Sequence, residues 1–135
     1  MSDYNTAIIE EFRANAGRVG GHWEGRDLLL LTTTGRKSGR KHVTPVVFTR
    51  DGDRLLVYAS KAGAPHHPDW YLNLVAAPRV VVEVGPDRFE AVATPLEGEE
   101  RDRQFAAQAA RAPAFAEYAQ KTTRVIPVVA LTRAA

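Results

Sequence analysis

Apolar side chains recur along this chain in two rhythms, and the changes between them outline its elements. Between Asp3 and Ala16, Tyr4, Ile8 and Phe12 fall at four-residue intervals with Ile9 and Ala16 beside them, while Glu10, Glu11 and Arg13 take the opposite side. That spacing predicts an amphipathic helix laid over a core, ended by Gly17 and by Gly20-Gly21. From Asp27 onward the rhythm shortens. Strands are predicted over Asp27 to Thr34, Val43 to Arg50, Arg54 to Ala59, Arg79 to Val84, Arg88 to Thr94 and Val125 to Thr132. Each is a run of apolar and β-branched residues bounded by turn formers. Pro45 marks its strand as an edge or a bulge; Asp51-Gly52-Asp53 and Gly85-Pro86-Asp87 are tight turns. Short helices are expected over Asp69 to Ala76, capped by Asp69 and stopped before Pro78, over Glu97 to Arg111, and over Ala114 to Lys121 after Pro113. Six strands exceed what one flat face buries comfortably, so an α+β fold closed into a small barrel is expected.

Composition narrows this picture more than it redirects it. At 135 residues the chain reads as one domain, 1–135, its first 20 residues given to the amphipathic helix. The absence of cysteine excludes disulfides, thiolate metal sites and a cysteine nucleophile. No apolar run approaches the roughly 18 residues of a membrane span, and no signal-peptide pattern opens the chain, so a cytoplasmic location is expected. The polar face of the first helix is acidic where a helix lying on a membrane would be rich in Lys and Arg, which argues against peripheral membrane contact. Charge is nearly balanced at +2, with acidic residues spread throughout. An extended basic face with aromatic platforms is missing, so nucleic acid is not an expected partner.

The positive charge is instead concentrated in one turn. After Leu28 to Leu31 the chain passes through Thr32-Thr33-Thr34 into Gly35-Arg36-Lys37-Ser38-Gly39-Arg40-Lys41. Glycines let backbone N–H groups converge, and Arg and Lys reinforce such a nest for phosphate or carboxylate. A solvated hairpin would have the same composition. Both readings stand on this run alone.

A second constellation is the connection Ala59-Ser60-Lys61-Ala62-Gly63-Ala64-Pro65-His66-His67-Pro68-Asp69-Trp70-Tyr71. Its prolines fix the path, and it delivers a hydroxyl, a cation and two aromatics to a helix start. Adjacent His66 and His67 diverge on an extended loop, so no metal site is expected. Ser38 and Ser60 lack the context of a hydrolase nucleophile. Trp23, Trp70 and Phe105 read as core.

Thr-Thr-x-Gly-Arg-Lys-Ser-Gly, Thr44-Pro45, the Ala59-to-Leu74 connection and Ala77-Pro78-Arg79, in one register from about Leu28 to Leu131, resemble the deazaflavin (coenzyme F-420)-dependent nitroreductase and quinone reductase family. The resemblance implies a split β-barrel and a cofactor with a phosphodiester and a tail of glutamates. By similarity, Arg36, Lys37 and Ser38 contact phosphate and tail, as do His42, Val43, Thr44, Pro45, Val46 and Val47. Gly39, Arg40 and Lys41 complete a cationic trough. Tyr58, Ala59, Ser60 and Lys61, with Asp69, Trp70, Tyr71, Leu72 and Asn73, hold the ring and ribityl chain. His42 stands where relatives have arginine. The implied reaction is hydride transfer from the reduced deazaflavin to a small electrophilic acceptor, a quinone, nitro compound or activated double bond. Ser60 and Tyr118 attend the reacting face, and Phe115 replaces a tyrosine found in nitroimidazole reducers. The implied state is a monomer or homodimer. An FMN-binding split barrel and a non-catalytic deazaflavin carrier are the alternatives.

Overall fold

A computed structural model describes residues 3–15, 17, 28–59, 67–122 and 125–134. It contains α1 (Asp3–Ala14), β1 (Leu28–Thr34), β2 (Lys41–Asp51), β3 (Arg54–Tyr58), α2 (Asp69–Ala76), β4 (Arg79–Val84), β5 (Asp87–Pro95), α3 (Gly98–Arg111), α4 (Pro113–Lys121) and β6 (Val128–Arg133). The strands form a closed barrel in the order β1-β2-β3-β6-β5-β4, every adjacent pair antiparallel. The expected α+β barrel is therefore present, with an N-terminal helix and three more helices among the described residues.

Strand alternation sorts the side chains into one interior and two outer layers. Leu29, Leu31, Phe48, Leu55, Val57, Val80, Val82, Ala91, Ala93, Val129 and Leu131 point inward, joined by Trp70 and Leu74 of α2. On the outside, α3 and α4 bring Phe105 and Phe115 against Leu56, Tyr58, Val128 and Ala130. Ile9 and Phe12 of α1 cover Leu30. Beneath α1 the buried Glu83 receives both Nε and Nη2 of Arg13, at 3.1 and 2.8 Å. This hydrogen-bonded pairing raises the Arg13 pKa above its ordinary value. Arg54 ties the β2–β3 hairpin to α3 by bridging Asp51 and Glu100, which likewise raises its pKa.

Several boundaries, and one helix cap, differ from the sequence expectation. Lys41 and His42 belong to β2 because they pair with Thr34 and Thr33. The last strand begins at Val128, not Val125, because Pro127 has no N–H for the ladder and Val125 is exposed. α1 ends at Ala14; Ala16, Gly20, Gly21 and Asp27 lie outside the described residues, as does Trp23. Asp69 is not the cap of α2. Pro68 occupies that position, no side-chain cap bond forms, and the Asp69 carboxylate turns to a cation instead.

Only the second half of β2 is paired with β3. Residues 41–47 pair with β1 and residues 48–51 with β3. Among the described residues, one flank of β2 around Pro45 thus has no strand beside it, which is where a missing N–H does least harm. His42, Val43 and Thr44 of this segment line a cleft shared with α2.

Candidate functional site

The turn between β1 and β2 is closed by backbone bonds in both directions, Gly35 N–H to the Arg40 carbonyl at 2.7 Å and Gly39 N–H to the Gly35 carbonyl at 2.9 Å. Gly39 takes φ +72, in the left-handed region that favours glycine. Gly35 is needed for space. A Cβ there would lie 2.6 Å from Ser38 Oγ and 2.8 Å from His42 Nε2. Both polar side chains therefore fold over the bare backbone of Gly35. Ser38 Oγ accepts the Arg40 N–H at 3.2 Å, which leaves its own proton to donate.

Across from this turn stand Asp69 and Asn73 of α2. Asn73, 4% exposed, accepts at Oδ1 from the Arg36 backbone N–H at 3.2 Å and from Arg36 Nη1 at 2.8 Å. Its Nδ2 donates to Thr33 Oγ1 at 3.4 Å. Arg36 Nη2 also reaches Asp69 Oδ1 at 3.4 Å. Asp69 and Asn73 are four residues apart on one helix face, so both meet the same guanidinium.

Between turn and helix lies a cleft of about 480 Å³ lined by Thr33, Gly35, Arg36, Lys37, Ser38, His42, Val43, Thr44, Asp69, Trp70 and Asn73. That volume suits a small-molecule ligand. Its donors are two permanent cations, three hydroxyls, an imidazole and an amide, against one carboxylate. Trp70 and Val43 supply apolar wall. The arrangement is built to hold an anion beside a flat or apolar group.

Of the residues singled out from sequence, Arg36, Lys37, Ser38, His42, Val43, Thr44, Asp69, Trp70 and Asn73 meet in this cleft. Gly39 shapes the turn. Arg40 and Lys41 do not line it: Lys41 Nζ donates to Thr34 Oγ1 at 2.8 Å, and strand alternation turns that pair outward. Val46 packs on the barrel interior along with Tyr71, whose ring lies 4.9 Å from that of His67. Pro45, Val47 and Leu72 are half-buried. Ala59 is buried inside the barrel. Tyr58 faces outward, its hydroxyl 2.7 Å from Thr49 Oγ1. Tyr118 joins that outer layer, edge-on to Phe115 at 5.4 Å. Ser60 and Lys61 lie outside the described residues, with Gly63, Pro65 and His66. Thr33 and Gly35 were missed as site residues. Alternation from Leu29 and Leu31 already puts Thr33 on the inner face.

The described residues contain no cluster of His, Asp or Glu able to hold a metal ion. No helix among them is long and apolar enough to cross a membrane.

A model of the family described as F420H(2)-dependent quinone reductase matches residues 6–133. An F420H(2)-dependent quinone reductase of Mycobacterium tuberculosis is 40% identical over 126 residues, 90% of this chain and 85% of that one. Among solved structures, an F420-H2 dependent reductase (FDR-A) is 40% identical, covers 83% of this chain and 99% of its own, and superposes with a TM-score of 0.71. A domain-swapped dimer is 38% identical with a TM-score of 0.73, covering 93% of this chain and 92% of its own. The haem storage protein HutZ of Vibrio cholerae, at 20% identity and a TM-score of 0.63, shares the fold alone.

Proposed function

Because the chain belongs to the F420H(2)-dependent quinone reductase family, we propose that the cleft between the basic turn and α2 is where it holds the anionic part of its cofactor. The protein is a deazaflavin-dependent oxidoreductase using coenzyme F-420, and its acceptors are quinones. The observation that supports the site is the convergence of Arg36, Lys37, Ser38 and His42 on one wall, opposite Trp70. This donor set fits a phosphodiester and carboxylates.

Each residue then has a definite task. Arg36 and Lys37 neutralise the anion through charge-assisted hydrogen bonds, worth on the order of 1.5–3 kcal/mol each. Ser38 donates its free hydroxyl proton, and His42 adds a donor at the turn's floor. Trp70 and Val43 exclude water from one side. When bound, reduced coenzyme F-420 supplies a hydride to the acceptor. The protein contributes orientation and exclusion of water. Ser60, two positions in sequence beyond the last residue of β3, and Tyr118, which shares a layer with Tyr58, are the pair proposed to attend the acceptor. The Tyr118 hydroxyl is the proposed proton donor.

The test is a fluorescence titration with coenzyme F-420 and, separately, FMN. Micromolar or tighter binding of the deazaflavin with little affinity for FMN is expected. Preference for FMN would overturn the reading. A Tyr118→Phe variant that binds coenzyme F-420 normally and keeps full quinone turnover would remove Tyr118 from the chemistry.

A further inference from the structure

Resting on the cofactor site proposed above, we infer that Asn73 is a positioning residue: it turns Arg36 into the cleft with its positive charge uncancelled, and anion affinity depends on that contact. An arginine on an exposed turn ordinarily samples many rotamers in water. Here the side chain is bent back onto α2, where a single acceptor, Asn73 Oδ1, takes both its backbone N–H and its Nη1, at 3.2 and 2.8 Å. Asn73 is itself held, being 4% exposed and donating to the buried Thr33 hydroxyl at 3.4 Å. The amide's orientation follows from chemistry. Arginine carries only donors, so the oxygen must face it and the nitrogen must face Thr33.

The residue type matters because an amide orients without neutralising. A carboxylate in the same buried place would fix the guanidinium equally well, but the Coulomb attraction would saturate it and leave less for a ligand. Asp69 does not play that part. Its side chain is 85% exposed and 3.4 Å from Nη2, so it is a screened counter-ion that an incoming phosphate can displace. The turn's charge toward a ligand is thus set by one neutral side chain on the facing helix. Counting cations along the turn would miss this.

The experiment titrates oxidised coenzyme F-420 into the wild type, Arg36→Ala, Asn73→Ala, Asn73→Asp and the double variant Arg36→Ala/Asn73→Ala, at several ionic strengths, with thermal melts alongside. Asn73→Asp is expected to weaken binding about 10–100-fold and to reduce the salt dependence of Kd to that of Arg36→Ala, because one charge has been cancelled. Asn73→Ala, which frees Arg36 but leaves its charge, should weaken binding by only about 3–10-fold and keep more of the salt dependence. In the Arg36→Ala background Asn73→Ala should have little further effect, since the amide acts through Arg36. Equal weakening by Asn73→Ala in both backgrounds, or an unchanged Kd in the Asn73→Asp variant, overturns the inference. If Asn73→Asp fails to fold, the cycle of Arg36→Ala, Asn73→Ala and their double variant still decides it. A wild type that does not bind coenzyme F-420 overturns the cofactor reading itself; a wild type that binds, with Asn73→Asp unchanged, overturns this inference alone.

Discussion

Two arginines show how the same side chain serves opposite ends in this protein. Arg13 is spent on structure. Its guanidinium meets both oxygens of Glu83, whose side chain is only 12% exposed beneath α1. Replacing Arg13 with alanine leaves that carboxylate covered and unpaired. A loss of about 1–2 kcal/mol is expected, the lower part of the range for charged hydrogen bonds because Arg13 is itself half-exposed. Adding Glu83→Gln should recover part of it, measured by urea unfolding; no recovery would mean that Arg13 acts mainly by packing. Arg36, in contrast, is oriented by a neutral amide and keeps its charge for the cleft. Lys37 beside it carries the clearest single-residue prediction. Lys37→Ala should weaken coenzyme F-420 binding roughly 10–100-fold, as loss of one charge-assisted contact implies. An unchanged Kd would take Lys37 out of the site. The basic turn was conspicuous in the sequence, yet the division of its cations was not. Only register decides that Lys41 faces Thr34 on the outside while Arg36 curls inward.

Helices and strands were more legible than the contacts between them. The four-residue spacing of Ile8 and Phe12 located α1 and its buried face, and Gly85-Pro86 located the β4–β5 hairpin, because these signals are local. What joins the two was invisible. Gly17, at φ +96, presses its backbone against Gly85, so that a Cβ at position 17 would stand 2.6 Å from Gly85 Cα. The contact spans elements far apart in sequence, and glycine's role there is to be small. Gly17→Ala combines a strained φ with a backbone clash, and the end of α1 should lift from the hairpin. Hydrogen exchange should then accelerate across α1 while β1, β4 and β5 stay protected. Uniform acceleration would mean that α1 and the barrel are one cooperative unit. The Asp69 error has a similar origin. A cap is a reasonable expectation for an aspartate at a helix start, but Pro68 sets the chain's approach, and Arg36, distant in sequence, offers the carboxylate a better partner.

At the scale of the molecule, the barrel depends on pairings that no local signal announces. The hairpins β1–β2, β2–β3 and β4–β5 follow from turns, whereas β1–β4 and β3–β6 close the sheet between distant strands. These closures position the site. β1 supplies Thr33, β2 supplies His42 and Thr44, and α2, anchored in the interior by Trp70 and Leu74, supplies Asn73. A ligand in the cleft therefore touches two strands of the wall and the helix packed within it. It binds the closed barrel and has no equivalent surface in the unfolded chain. Mass action then predicts a stabilisation of about 2.7 kcal/mol at a free concentration 100 times Kd. For a chain of this length that raises the melting temperature by roughly 6–12 °C. The urea midpoint should rise with an unchanged slope, since the surface exposed on unfolding is the same. Binding without any rise in melting temperature would mean that the unfolded chain binds the ligand as well as the closed barrel does. The turn and α2 are joined by the Asn73 contacts, so at one free ligand concentration the Asn73→Ala variant should show less thermal gain than the wild type, and the deficit should vanish when each is brought to the same ratio of concentration to Kd.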